Sequence, residues 1–377
     1  NKTFELGAED SGEEGAPIIY RAAKKGAAVF YAGTRVAGWT PVKDAAVLGI
    51  LPESSRSKVW QTDLKSQGIT DYGELKVRGF DAGSPSVPAI ELFADGKPMT
   101  LSRWPNEGFT NISDIPLKDG HAIHGYVGSK TPKFNYSGER PRRWSAEKDI
   151  WVLGYFFWDW AEGQRKVESI DLEKHEITLA DAKSSYGFRK DQRFFAYNLL
   201  SEIDMPGEWY LDRQTGILYL YPSGDPNKTV LELSMLSTAM AVLKNVSHVR
   251  FEGLAFDLAR ANAVEVTGGT DVLFSGCKMT RLAGGGIRIE GGERHGILGC
   301  EIGMLGRNGT WITGGDRKTL KPSGHFIENC HIYSNSRLDP TYTPGVLLNG
   351  VGMKMAHNLI HDCPSSAARI EGNEHLV

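Results

Sequence analysis

The residues best suited to chemistry lie near the end of the printed sequence. His361 and Asp362 are adjacent, and Glu371 follows nine residues later. A carboxylate can act as nucleophile, acid or base when a glycosidic bond is cleaved, and an aspartate can orient a neighbouring histidine. Glu371, Asp362 and His361 are therefore candidate catalytic residues, although His361 and Asp362 are equally compatible with a role in stabilising a turn.

A second set of residues is suited to binding an extended ligand rich in hydroxyl groups. Trp311 lies in the stretch NGTWITGGD, where its neighbours are small or β-branched. An exposed aromatic ring can stack on the apolar face of a sugar, and charged or amide groups can bind its hydroxyls. The candidate substrate-binding residues of this set are Arg288, Glu290, Trp311, Asn349 and Arg369. They are also compatible with a solvated surface on which Arg288 and Glu290 form an ordinary ion pair.

A repeat that begins near residue 246 must position these side chains. Five segments align, at 248–257, 271–280, 295–303, 325–333 and 353–361, and each is followed by a second short strand. Their apolar positions form three columns: Phe251, Phe274, Ile297, Ile327 and Met355; Leu254, Cys277, Cys300 and Cys330, continued by Asn358; and Phe256, Met279, Ile302, Ile332 and Ile360. Short strands and glycine turns at this period predict an all-β fold, a right-handed parallel β-helix.

Alternation along the second strands predicts which side chains reach solvent. The apolar column Val266, Ile289, Ile312, Leu348 and Ile370 should point inward. The residues on either side of it should point outward. One outward column is then Glu265, Arg288, Trp311, Leu347 and Arg369, and the other is Thr267, Glu290, Thr313, Asn349 and Glu371. Two insertions lengthen the repeat at 316–324 and 336–344, and we expect them to flank this face as walls of a groove.

Cysteine usage gives no sign of a metal site. Cys277, Cys300 and Cys330 share one inward column, so we expect small buried hydrophobic residues without a disulfide, although the spacing of neighbouring rungs would permit one. Cys363 stands apart in a turn. The sequence has no cysteine and histidine spacing typical of zinc, and no cofactor is predicted.

The sequence predicts that the chain is divided into three parts. Residues 1–44 supply N-terminal rungs, residues 45–240 form an inserted β-rich domain with hairpins at Asp-Gly and Thr-Gly turns, and residues 241–377 supply the repeat. No amphipathic helix is evident in the insertion. Both ends of the sequence look cut, which predicts further rungs and a partner carboxylate beyond Val377. Glu290 cannot be that partner, because three rungs separate it from Glu371 by roughly 14 Å.

Charge and composition exclude some functions. The net charge of −3 over 377 residues does not favour nucleic acid as a partner. No apolar run approaches the roughly 20 residues of a membrane span. Six Asn-X-Ser/Thr sequences are compatible with secretion.

Four separated blocks resemble one group of enzymes. SGEEGAPIIYRA, ELFADGKPMTLSRWPNEGF, PGEWYLDRQTGILYLYP and NLIHDCPSSAARIEGNEHL are similar to β-helix glycosidases around glycoside hydrolase family 141, with family 120 among the relatives. The resemblance implies a secreted or periplasmic enzyme that degrades plant or other complex polysaccharides. It also implies that the turns containing His361 and Asp362, and Asn373, Glu374 and His375, form the rim of the active site.

Two other functions remain open on the same fold. A polysaccharide lyase would use Arg288 or Arg369 to take a proton, with Ca²⁺ held by carboxylates against an acidic sugar. A non-catalytic solenoid would bind glycans through the same face and release no product.

Overall fold

The computed structural model describes residues 2–80, 82, 86–116, 119–181 and 184–377. The chain divides into two compact units. The first contains the residues up to Thr34, Val87–Glu91 and Leu233–Val377, and the second contains Arg35–Ser86 and Leu92–Glu232. The division after Thr34 and Glu232 differs from the expected boundaries after residues 44 and 240, and the short segment Val87–Glu91 returns to the first unit.

The first unit is built from three sheets of parallel strands, in which each strand pairs with its counterpart one repeat away. The first sheet contains Phe4–Leu6, Ala241–Lys244, Val264–Thr267, Ile287–Glu290, Thr310–Gly314, Val346–Val351 and Ala368–Asn373. The second contains Ile18–Arg21, Val249–Glu252, Leu273–Ser275, Gly296–Leu298, Phe326–Glu328 and Lys354–Ala356. The third contains Val29–Tyr31, Ala255–Ala259, Lys278–Leu282, Glu301–Leu305, His331–Tyr333 and Leu359–His361. The prediction of a parallel β-helix is confirmed.

Apolar columns running between the three sheets form the core of the first unit. The register places Phe251, Phe274, Ile297, Ile327 and Met355 next to one another in turn. The Phe251 and Phe274 rings stack at 5.1 Å. Because equivalent positions stack along the axis, the apolar residues of each rung are buried against one another and against those of the neighbouring rungs. The predicted early rungs are confirmed, since Tyr20 pairs with Phe251 and Phe30 pairs with Phe256.

The turn between the second and third sheets explains the cysteine column. Gly253, Gly276 and Gly299 adopt the left-handed conformation there, and Asn329 and His357 do so in the later repeats. Cys277, Cys300 and Cys330 follow their turns as free, buried thiols, which confirms the unbonded column. Asn358 ends the column: its amide donates to the Ile327 carbonyl at 2.9 Å and its oxygen accepts the Cys330 N–H at 2.9 Å. His357 thus lies in the turn between the strands Lys354–Ala356 and Leu359–His361.

A histidine column lies inside the β-helix at the start of the second sheet. His295 and His325 occupy the inward position that Val272 and Met353 take in neighbouring repeats, and both are at most 1% exposed. The two rings stack at 5.1 Å. His295 Nδ1 accepts the Val272 N–H and His325 Nδ1 accepts the His295 N–H, each at 3.1 Å. Burial is the main cause that lowers the pKa of each imidazole to about 4.

The second unit is also mostly β-structure. One sheet contains Thr40–Pro41, Trp60–Asp63, Thr100–Leu101, Glu208–Asp212 and Ile217–Leu220. A larger sheet contains Arg78–Gly79, Arg103–Trp104, Thr110–Asn111, Lys133–Asn135, Trp151–Gly154, Gly163–Asp171, Glu176–Leu179 and Arg193–Tyr197. Leu92–Ala94 pairs with Lys97–Pro98, and Ala122–Ile123 pairs with Tyr126–Val127. Gly33–Arg35 and Leu231–Ser234 are short strands where the chain passes from one unit to the other.

Two predicted hairpins of the second unit are confirmed, and one helix was missed. Leu92–Ala94 pairs with Lys97–Pro98 across left-handed Asp95 and Gly96, and Glu208–Asp212 pairs with Ile217–Leu220. The α-helix Ala45–Ile50 begins where the Asp44 carboxylate accepts the N–H groups of Ala46 and Val47. It is too short for a helical period to show in the sequence. The 3₁₀ helices are Ala8–Asp10 in the first unit and Lys65–Gln67, Arg140–Ala146 and Leu200–Glu202 in the second.

Across the described residues, the helices are all too short or too polar to cross a membrane.

Candidate functional site

The outward face of the first sheet carries most of the candidate residues. Pairing of the strands aligns Glu265, Arg288, Trp311, Leu347 and Arg369 in one column and Thr267, Glu290, Thr313, Asn349 and Glu371 in the next. Between them runs the inward column, in which Val266, Ile289, Ile312 and Leu348 are at most 1% exposed. The predicted register of this sheet is therefore confirmed.

Trp311 is partly exposed on this face, beside charged groups. The Arg288 guanidinium lies 5.6 Å from the centre of the Trp311 ring, and it also donates to the Glu290 carboxylate. The ion pair that the sequence left open is thus present, and it holds the cation against the ring. Leu347, which was expected to be exposed, is 3% exposed, so the face is covered at this rung.

The first insertion reaches onto the face through an arginine. Asp316 accepts the Lys318 N–H at 2.8 Å and the Thr319 hydroxyl at 2.9 Å, and these bonds hold its pKa below the usual value. This turn presents Arg317, whose guanidinium donates to the Asn349 side-chain oxygen at 3.0 Å. Arg317 was not among the predicted residues, although its place in an insertion beside the Trp311 strand was a usable signal.

The second insertion reaches the same face from the opposite end of the strands, since it precedes Val346–Val351 whereas the first follows Thr310–Gly314. Asn335 donates to the Thr343 carbonyl at 2.9 Å, and the Thr343 hydroxyl donates to the Asp339 carbonyl. Between these anchors, the left-handed Tyr342 is 47% exposed, and its ring lies 5.2 Å from the Arg369 guanidinium. Tyr342 was also missed, because nothing in its local sequence distinguishes it from other loop tyrosines.

The two insertions are connected through Glu371. The Asn349 amide donates to one oxygen of this carboxylate at 3.0 Å, and the Arg369 Nε donates to the other at 2.5 Å. Asn349 is the residue that Arg317 contacts, and Arg369 is the residue that Tyr342 contacts. Glu371 therefore lies where the groups contributed by both insertions converge, with its side chain 34% exposed.

A column of glycines fixes the backbone next to this carboxylate. Gly314, Gly350 and Gly372 are in register, one residue beyond Thr313, Asn349 and Glu371. A Cβ atom on Gly372 would lie 1.9 Å from the Gly350 carbonyl oxygen, and Gly372 has a φ of 121°. No other residue type fits this position without moving the strand. The close approach of the strands thus restricts the residue directly after Glu371 to glycine.

Glu290 does not form a catalytic pair with Glu371. It lies three register positions away in the same column, which corresponds to roughly 14 Å at the usual strand spacing. Glycosidase carboxylates are about 5 Å apart in retaining enzymes and about 6.5–9.5 Å apart in inverting ones. The positions one and two rungs before Glu371 are Asn349 and Thr313, which are not acids. Glu371 therefore has no carboxylate partner at a catalytic distance among the preceding rungs of this column.

The predicted catalytic residues are divided between two sheets. His361 ends a strand of the third sheet, and its Nδ1 lies 2.9 Å from the Asp362 carboxylate, so the suggested hydrogen bond is present. His361 contacts His331, Tyr333, Asp362 and Cys363. Glu371 contacts Asn349, Arg369 and His375. His361 and Asp362 thus lie at the end of a strand of the third sheet, whereas Glu371 lies on a strand of the first, and the two groups have different hydrogen-bond partners.

The residues expected at the rim have different positions. Asn373 ends the last strand of the first sheet, and Glu374 is an exposed left-handed turn residue. His375 continues the inward histidine column: one ring nitrogen accepts the Met353 N–H at 3.2 Å and the other lies 3.1 Å from the Glu371 carbonyl oxygen. Both ring nitrogens of His375 thus contact the backbone, which is a structural role, and its binding of substrate stays a prediction.

Comparisons with known proteins agree with this fold. Residues 232–377 match the model of the right handed beta helix region. A solved structure described as "Glycoside hydrolase" superposes with a TM-score of 0.70 at 16% identity, over 98% of this chain and 70% of that one. A second, described as "The complex structure of XylC with xylose", gives a TM-score of 0.47 at 12% identity, over all of this chain and 55% of that one. A search of curated protein sequences finds no match. The protein is therefore a right-handed parallel β-helix protein that shares its fold with a glycoside hydrolase.

Proposed function

We propose that this protein is a carbohydrate-active enzyme that hydrolyses glycosidic bonds of a polysaccharide on the outward face of the first sheet. The observation that carries the proposal is the convergence of both insertions on Glu371, through Asn349 on one side and Arg369 on the other. An incidental surface carboxylate has no need of two separate loops that meet at its two hydrogen-bond donors.

The surroundings of Glu371 suit a sugar chain. Trp311 and Tyr342 offer partly exposed rings, and each has an arginine beside it. Aromatic rings bind the apolar faces of pyranoses, while the nearby guanidinium and amide groups can bind hydroxyls. The shared fold with a structure described as a glycoside hydrolase supports the same conclusion by analogy alone.

The contacts of Glu371 favour one of the two carboxylate roles. Both of its oxygens accept hydrogen bonds, so the group is positioned as an acceptor rather than as a proton donor. In a glycosidase the acceptor role belongs to the nucleophile or to the general base. The general acid must then come from outside the Glu290 and Glu371 column.

The proposed substrate also determines where the enzyme works. A polymer of sugars cannot cross a membrane unaided, so we propose that the protein acts outside the cytoplasm, in a secreted or periplasmic location. We propose that its substrate is a plant or other complex polysaccharide.

The first test measures product with the full-length protein. Plant and algal polysaccharides and aryl glycosides are incubated with the protein, and reducing sugar and near-ultraviolet absorbance are measured together, with and without a chelator. Reducing sugar without absorbance, lost in Glu371→Gln, supports the proposal. An absorbing, unsaturated product that the chelator abolishes would replace it with a calcium-dependent lyase. Glycan binding without product would replace it with a non-catalytic solenoid.

A further inference from the structure

The outward face of the third sheet carries a second group of side chains that the proposed hydrolysis does not use. His331 and His361 lie on neighbouring strands, and their Nε2 atoms are 2.8 Å apart. Tyr333 stacks on both rings, with centroid distances of 4.6 Å to His331 and 5.8 Å to His361. Asp362 accepts from the far nitrogen of His361 at 2.9 Å. We propose that this pair binds a divalent transition-metal ion of the Zn²⁺ and Cu²⁺ class.

The geometry requires little change to accept such an ion. Zn²⁺ binds imidazole nitrogen at about 2.0–2.1 Å with tetrahedral angles, which places two ligand nitrogens roughly 3.4 Å apart. The Nε2 atoms are already 2.8 Å apart, so an opening of about 0.6 Å by ring rotation suffices. The side chain of His361 is 42% exposed, which gives the ion direct access from solvent.

Proton positions also favour metal binding through Nε2. The Asp362 carboxylate can only accept, so His361 carries its proton on Nδ1 and presents a lone pair on Nε2. A carboxylate on the second nitrogen is the usual support of a metal-binding histidine, because it fixes the ring and the tautomer. His331 then donates its Nε2 proton to His361 in the metal-free protein. On binding, that proton moves to His331 Nδ1 through solvent, so both Nε2 atoms become ligands with no net change of charge on the protein.

The site leaves coordination positions open. In the parts of the chain that the structure describes, no three side chains of His, Cys, Asp or Glu converge on one point, so the histidine pair supplies two ligands. Glu301 is not a further ligand in this arrangement, because Tyr333 donates to it at 2.9 Å and Lys278 pairs with it at 2.8 Å. The remaining positions fall to water or to an oxygen of a bound ligand. Imidazole selects Zn²⁺, Cu²⁺ and Ni²⁺ over Mg²⁺ and Ca²⁺.

The test is a calorimetric titration of the metal-free protein with ZnCl₂, and the same titration with MgCl₂ is the comparison. We expect one Zn²⁺ site that is lost in His331→Ala and in His361→Ala, and that weakens by about 10-fold in Asp362→Asn. His357→Asn is the matched control, because His357 is an exposed histidine four residues from His361 and asparagine tolerates its left-handed turn. This control should bind Zn²⁺ as the parent protein does.

A second measurement needs no variant. Electron paramagnetic resonance of the parent protein with one equivalent of Cu²⁺ should show two nitrogen ligands. A spectrum with oxygen ligands only, absence of Zn²⁺ binding, or binding that survives both alanine substitutions overturns the proposal. The hydrolysis proposed above is read from product on glycans, so either result stands without the other.

Discussion

The two sides of the first sheet follow different rules. On the inward side, Val266, Ile289, Ile312 and Leu348 differ only in the shape of an apolar side chain, and each is buried to the same degree. On the outward side, one column changes from glutamate to arginine, tryptophan, leucine and arginine over the same rungs. The inward positions are interchangeable because each has the same task, to fill space against the next rung.

The difference teaches where chemistry can be found in a repeat. Arg288-Ile289-Glu290 and Arg369-Ile370-Glu371 are the same tripeptide in the same strand position, and both contain an arginine bonded to a glutamate. The insertions distinguish them, since Arg317 contacts Asn349 and Tyr342 contacts Arg369, and these are the two hydrogen-bond donors of Glu371. The repeat itself provides the ion pair, and departures from the repeat provide the candidate site.

The largest expected effect is on Glu371. Glu371→Gln keeps the shape and one acceptor oxygen but removes the charge, so hydrolysis should fall by about 10²–10⁴-fold, the usual contribution of a general acid or base. Glu290→Gln is the matched variant, because it has the same neighbours in the tripeptide and lacks the insertions. Its loss should be at least 10-fold smaller and appear in KM. Initial rates on a substrate that the product assay identifies measure both.

Equal losses in the two variants would break the comparison. The outward ion pairs would then act alike, and the insertions would have no special relation to Glu371. Thermal melting of both variants belongs to the same experiment, because an outward substitution should leave the melting temperature nearly unchanged.

The inward side should show the reverse behaviour. Ile312→Ala removes a fully buried side chain between Ile289 and Leu348, and such a cavity costs about 2–5 kcal/mol of unfolding free energy. The rate per folded molecule should be nearly that of the parent protein, since Ile312 does not reach the outward face. Denaturant unfolding and active-site titration separate the two quantities. A large loss of rate in a folded variant would show that the core is part of the site.

Much of the fold was predictable because the inward columns are set by position in the repeat. The spacing of Phe251, Phe274 and Ile297 reveals their inward column. The alternation of side chains along a strand then predicts that Trp311 and Glu371 point outward. Leu347 was placed correctly in register but is buried, because periodicity describes a single sheet and not what covers it.

The candidate site was less predictable because its contacts come from the insertions. Arg317 and Tyr342 lie in segments without a period, so no neighbouring repeat indicates their direction. His361 and Asp362 were grouped with Glu371 because they are close in sequence, yet one turn of the chain moves them to a different sheet. The role of His295 and His325 was also hidden, since a histidine in an apolar column does not show its hydrogen bonds in the sequence.

These histidines give a smaller effect that tests the inward side by pH. Burial lowers the pKa of both to about 4, below the unfolded value of about 6.5. As the pH falls below about 6.5, the unfolded chain takes up protons that the folded protein refuses, so stability is lost progressively down to about pH 4. Between about pH 7.5 and pH 5.5 the loss should be about 1.3 kcal/mol for each histidine.

His325→Met checks this assignment, because Met353 already occupies the same column one rung away. The variant should lose stability at neutral pH, since the His295 N–H loses its acceptor. Its stability should nevertheless fall less steeply from about pH 7.5 to about pH 5.5 than that of the parent protein. An unchanged slope would mean that His325 is not the group whose protonation the fold opposes.

The smallest expected effect is on Trp311. A stacking contact of one ring is worth about 0.5–1.5 kcal/mol, so Trp311→Ala should raise KM by about 3- to 10-fold and leave kcat within a factor of two. Tyr31→Ala, an exposed aromatic on the third sheet, is the control and should change neither constant. A fall in kcat at unchanged KM would place the ring against the transition state rather than the bound sugar. The scissile bond would then lie nearer to Trp311 than to Glu371. Glu290, one rung from the ring, would be the next carboxylate to test.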